Sequence, residues 1–228
     1  MANEINSRYY PQRLTSVVPL DCYDLLEKLG LDIEWKYISP SLDIQGMYFV
    51  EDGEFYVWPH GEIRSGDKPI LEKFKKDTIV INQILLDKKS YKQKENFVCT
   101  HEIGHAIKDK EYFRLHPKNR MQMCSEASLR GSSWNDSMQV EDVIESQNNY
   151  LTAALLMPRE VIKTQFFKAL KWRNIPSEPV EFVPYMKKSI GVLAKGYGVN
   201  YNPVIYRLCD IGVLDRDSIP NNYNNNRR

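Results

Sequence analysis

Apolar residues recur along this chain at two different spacings, and each spacing names an element. Over 20–29 the residues Leu25, Leu26 and Leu29 fall on one helical face, and Gly30 stands where a helix stops. Residues 33–38 alternate, 46–50 and 54–58 are rich in β-formers, and Glu51-Asp52-Gly53 between the last two suits a hairpin turn. A further strand is predicted at 78–82. Helical spacing then takes over, with Phe97, Thr100, Gly104 and Ile107 on a helix that runs from about Lys94 to Ile107. The stretch 108–136 has little periodicity, many charges and a Gly131-Ser132-Ser133 break, which predicts a long connection holding at most one short helix. A strong helix follows over 140–157, with Val143, Tyr150, Leu151, Ala154 and Leu155 on its apolar face, and Pro158 ends it. Pro158 can also open the next helix, 159–172, before a proline-rich linker at 176–184. Two more helices are predicted at 185–195 and 203–210, around Gly196-Tyr197-Gly198-Val199, and 221–228 is low in complexity and expected to be disordered. Together these elements predict an α+β fold, in which a small three- to four-stranded sheet packs on helices.

Composition narrows the class of protein. With 42% hydrophobic and 27% charged residues, and 14 Tyr, 8 Phe and 4 Trp, the chain can bury a core and is not built like a disordered one. Thirty-one basic against 30 acidic side chains leave a net charge of +1, so no global field draws it to nucleic acid or to an anionic membrane. The lysine-rich stretch 73–94 alternates with apolar and acidic residues, as a solvated face does. No apolar run reaches the roughly 18 residues that span a bilayer. Cys22, Cys99, Cys124 and Cys209 are widely spaced, with no Cys-x-x-Cys pair and no secretory leader ahead of them, which predicts free thiols and a cytoplasmic location.

Chemistry enters at His101-Glu102-Ile103-Gly104-His105, an H-E-x-x-H pentapeptide on the predicted helix. Chance predicts only about 0.005 such matches in a chain of this length and composition. At 3.6 residues per turn His101 and His105 stack on one face, so both imidazoles can reach a single ion. Glu102 beside them can serve as the general base for a metal-activated water. Gly104 weakens a helix interior, which is either a harmless weak spot or the mark of tight packing beside the metal, where a neighbouring backbone comes close.

A catalytic zinc site wants three protein ligands and an open position. The metzincin position for a third histidine holds Glu111 instead. A carboxylate from a second helix is the natural substitute, and Glu126, Asp136, Glu141, Asp142 and Glu145 are the candidates. Geometry favours Glu145, with Asn149 one turn later as its support, and Glu141 is the runner-up. Tyr150, Tyr112 and His116 are candidate donors to an oxyanion, without a choice among them.

Phe97-x-x-Thr100-His101-Glu102-Ile103-Gly104-His105-Ala106, followed by Glu145-x-x-x-Asn149-x-x-x-Ala153-x-Leu155-Leu156-Met157-Pro158, resembles the ImmA/IrrE family of metallopeptidases. The resemblance covers 20–158, with a weaker likeness at 193–199. It implies a zinc-dependent metalloendopeptidase with a gluzincin-like ligand set: His101, His105 and Glu145 on the metal and Glu102 as the catalytic base. It also implies an intracellular enzyme that cleaves a partner helix-turn-helix repressor and so derepresses genes of a mobile element or a stress response. The chain departs from the family where Asn148-Asn149 replaces the usual Ala-Asn, where Thr152 replaces a common Ala, and in a longer stretch between His105 and Glu145. The expected organisation is a metallopeptidase-like domain at 1–160, a helical extension packed on it at 161–220, and the tail. The alternative is a catalytically silent regulator that binds a repressor or DNA through its C-terminal helices, with a structural or vestigial metal site.

Overall fold

The computed structural model describes residues 1–116, 121–125, 139–220 and 223, with the backbone alone at 121–125. Apart from Tyr223 the expected tail at 221–228 lies outside the described residues, as does most of the stretch 117–138. Two compact units are present: Asp21–Asn149, and Met1–Leu20 together with Tyr150–Arg228.

The unit Asp21–Asn149 is α+β, as the sequence predicts. Its first helix, α2 (Cys22–Leu29), starts at Asp21, whose carboxylate accepts from the amides of Tyr23 and Asp24, and stops at Gly30 with φ 67°. A four-stranded sheet has the order β1-β5-β2-β6, formed by β1 (Asp32–Lys36), β5 (Thr78–Asn82), β2 (Ile44–Phe49) and β6 (Met121–Ser125). β1 and β5 are parallel, and β2 runs antiparallel to both of its neighbours. A separate two-stranded sheet joins β3 (Gly53–Val57) to β4 (Ile70–Phe74).

The hairpin expected between 46–50 and 54–58 does not form. β2 is buried along nearly its whole length and sits inside the larger sheet, whereas β3 alternates between buried and exposed positions and pairs with β4. The Glu51-Asp52-Gly53 turn therefore connects strands of two sheets. Those sheets meet through side chains: Met47, Phe49 and Val80 pack with Val57, Phe74 and Ile38. Phe49 and Phe74 stack with ring centroids 4.8 Å apart.

The other face of the larger sheet receives α4 (Lys92–Lys108), which follows the short α3 (Ile84–Asp87). Contact is closest at Gly46, where an added Cβ would come within 2.8 Å of both Val98 Cγ1 and Glu102 Oε1. Only a residue without a side chain lets β2 approach this near. At the opposite end of β2, the Tyr48 hydroxyl donates to Asp77 at 2.7 Å and Lys110 pairs with the same carboxylate. Lys110 opens α5 (Lys110–Leu115), the short helix expected in the connection. α6 (Val140–Leu156) then carries Glu145.

The other unit begins with α1 (Ala2–Tyr9) and includes α7 (Arg159–Ala169), α8 (Met186–Tyr197) and α9 (Tyr201–Asp210). Its firmest polar feature is Arg13, which is fully buried and donates to the carbonyls of Leu155 and Leu156 at 2.7 Å each, to Val18 O at 3.0 Å and to Asn6 Oδ1 at 2.6 Å. A helix leaves its last carbonyls without intrahelical donors, and one guanidinium supplies them here for α6. Arg207 does the same for Met157 O at 3.1 Å. The turn between α8 and α9 is made at Gly198, with φ 66°.

Candidate metal centre

α4 is amphipathic in an unusual sense, since its buried side carries charge. His101, Glu102 and His105 are all fully buried, although the helix has neither a strong apolar stripe nor a side-chain cap. Such burial of imidazoles and a carboxylate is costly unless they serve one another or a ligand. The one-turn spacing brings the two Nε2 atoms to 3.1 Å, with the rings edge-on at an interplanar angle of 82°.

Glu145 closes the triangle. One of its oxygens lies 3.2 Å from His101 Nε2 and the other 3.2 Å from His105 Nε2. The three residues form a group able to hold a metal ion, found among the described residues. Four ligands at the roughly 2.0–2.1 Å bond lengths of zinc, placed tetrahedrally, have neighbouring donor atoms about 3.3–3.4 Å apart. The two nitrogens, 3.1 Å apart, are near that spacing, and each has a different oxygen of Glu145 at 3.2 Å, so the carboxylate straddles the place such an ion would take. Two nitrogens and one carboxylate are also the donor set of His₂Glu catalytic zinc, which leaves a fourth position for water.

Electrostatics point the same way. Burial and the neighbouring His105 press the His101 pKa down against the pull of Glu145, so this ring favours its neutral, ligating form. Burial also opposes charge on His105, but Asp109 and Glu145 outweigh it and raise its pKa to about 9. Glu145 resists ionisation through burial, yet the two imidazoles hold its carboxyl far below the usual range. A divalent cation placed among these groups would meet one carboxylate and two imidazole nitrogens.

Neighbouring residues fix the rings. Asp109 accepts from His105 Nδ1 at 2.9 Å, which holds a proton on Nδ1 and leaves Nε2 as the nitrogen that faces Glu145 and is free to ligate once it gives up its own proton. The edge of Phe113 packs on the same imidazole at a centroid distance of 5.6 Å. Asn148 donates to the backbone carbonyl of His101 at 2.8 Å, tying α6 to α4 one turn from Glu145. That tie explains Gly104, because a Cβ there would lie 2.0 Å from Asn148 Oδ1. Close approach, not a weak spot in the helix, is its role.

Asp109 is the residue that sequence reasoning passed over, although its position one turn after His105 was the available signal. Asn149, expected to support Glu145, bears on His101 and helps hold its pKa up. Of the other carboxylates considered, Glu141 and Asp142 are exposed in the first turn of α6, where Asp142 accepts from the Gln139 amide. Glu126 and Asp136 lie outside the described residues. Tyr112 and His116 stack on each other at 4.2 Å, and Tyr150 lies under the Arg207 guanidinium in the other unit. Cys22, Cys99 and Cys209 are free thiols, and Cys99 is not part of the His-His-Glu group. No described helix is long and apolar enough to cross a membrane.

Comparison with curated proteins returns no match. The family model for the IrrE N-terminal-like domain of M78 peptidases matches residues 62–208, a span that contains α4, Asp109 and Glu145 and exceeds half of the chain. The chain belongs to the ImmA/IrrE family.

Proposed function

We propose that the protein is a zinc-dependent metalloendopeptidase of the cytoplasm that cleaves a partner transcriptional repressor of the helix-turn-helix kind. One observation carries the reading: two imidazole nitrogens and a carboxylate from a second helix converge with edges of 3.1–3.2 Å. His101, His105 and Glu145 would hold the ion. When bound, zinc would acidify water and polarise the scissile carbonyl. Glu102, in the turn between the two histidines and pressed against Gly46, takes the proton of the attacking water and passes it to the leaving amine. Asp109 keeps His105 in the tautomer that ligation requires, and the Asn148 tie keeps α6 and Glu145 in register with α4.

The repressor substrate is our proposal from the family resemblance, and its test is direct. The zinc-loaded protein, incubated with a helix-turn-helix repressor encoded beside its gene, should yield one discrete cleavage that a chelator abolishes. Glu102→Gln should keep the metal and lose the cut. An active Glu102→Gln protein would remove Glu102 as the base, and cleavage indifferent to chelator would remove the metal mechanism.

A further inference from the structure

Gln45 is fully buried, and among the described residues neither its amide nitrogen nor its amide oxygen has a hydrogen-bond partner. It occupies a β-bulge. Ile44 pairs with Ser125 and Gly46 with Cys124, so Gln45 is the extra residue of β2 against β6. The bulge also breaks the alternation of side chains. Ile44 packs on the core cluster that contains Met47, although residues three apart in a regular strand face opposite ways. The two residues between them, Gln45 and Gly46, are therefore left to the other face. That is the face that meets α4, because Gly46 abuts Glu102.

We infer that Gln45 is a substrate-binding residue whose side-chain amide pairs with the backbone of a bound peptide beside Glu102. A carboxamide offers one donor group and one acceptor group on a single plane. Its natural complement is another amide, the peptide unit, whose carbonyl accepts and whose N–H donates. Desolvating both halves of an amide without a partner is unfavourable, and bulges next to active sites commonly re-aim a side chain toward a ligand. The inference rests on the peptidase reading for the identity of the ligand, but not on turnover.

The experiment is an NMR titration of the zinc-loaded protein, labelled with ¹⁵N at glutamine side chains, with N-acetyl-tetra-alanine amide. Gln45→Met, which keeps length and removes both polar groups, identifies the Gln45 resonance by its loss. The expected result has three parts: the Gln45 amide signals move and saturate with peptide, Gln45→Met weakens peptide binding about tenfold or more, and its melting temperature equals or exceeds that of the wild type. A Gln45 signal that stays still, unchanged binding in Gln45→Met, or a lower melting temperature in that variant would each overturn the inference. Peptide that binds through Gln45 yet is never cut would refute the proposed hydrolysis and leave the inference standing.

Discussion

Replacing Gly104 by alanine tests the geometry that joins the two ligand helices. On helix propensity alone the change should stabilise α4 by about 1 kcal/mol. The structure predicts the opposite. The new methyl carbon would lie 2.0 Å from Asn148 Oδ1, at least an ångström inside any contact such atoms accept. Asn148 is fully buried, and its amide nitrogen is engaged with His101 O at 2.8 Å, so it cannot swing away without giving up that bond. Losing the hydrogen bond and leaving the groups buried costs about 1–3 kcal/mol, and residual overpacking adds about 1–3 kcal/mol. Set against the propensity gain, Gly104→Ala should destabilise by about 1–5 kcal/mol in urea unfolding followed by circular dichroism. Because Glu145 lies one turn from Asn148, zinc affinity should fall with it. Asn148→Ala removes the clashing oxygen, so adding Gly104→Ala to that variant should be neutral or stabilising, and the double-mutant cycle should show strong coupling. A Gly104→Ala protein as stable as the wild type, with undiminished zinc affinity, would refute the close-approach argument.

Three further outcomes concern Asp109, Arg13 and Asp77. Asp109→Asn should weaken zinc binding about 10- to 100-fold while leaving the fold intact, since the carboxylate that orients His105 is lost; a competition titration against a coloured chelator measures this. Arg13→Met should destabilise by about 3 kcal/mol or more, because it strips the donors from Leu155 O and Leu156 O; equal urea midpoints would contradict it. Asp77 supplies a pH dependence. Burial resists its charge, but Lys110 and the Tyr48 hydroxyl hold its carboxyl below the ordinary value, so its contribution is complete above the usual carboxylate pKa and is lost as pH falls through the lowered one. Asp77→Asn should therefore cost about 1 kcal/mol at pH 7 and progressively less as pH falls below the ordinary carboxylate range, and a cost that does not change with pH would overturn the assignment.

The sequence spoke most clearly where one helix carried the whole signal. The pentapeptide fixes its own geometry, because the spacing of His101 and His105 is a property of the α-helix, and the apolar period over 140–157 located the helix that brings Glu145. Pairing between strands was less legible. Turn residues at 51–53 predicted a hairpin, yet nothing local states that β2 would be enclosed by β5 and β6 while β3 turned to β4. The continuous burial of 45–49, against the alternation of 53–57, was the available clue. Gly46 read as an ordinary strand residue and Gln45 fell just before the expected strand, since a bulge depends on the partner strand. Gly104 left two readings open until its neighbour was known, and that neighbour, Asn148, stands 44 positions later in the chain.

The central claim is that His101, His105 and Glu145 together hold one metal ion. X-ray absorption at the zinc edge, on protein loaded to equivalence, examines it without reference to any substrate. The account predicts one zinc per chain surrounded by two imidazoles and oxygen donors at about 2.0–2.1 Å, with the oxygen coordination of the wild type lost or rearranged in Glu145→Ala. A sulfur neighbour at about 2.3 Å, an unaltered spectrum in Glu145→Ala, or a chain that takes up no zinc would contradict it.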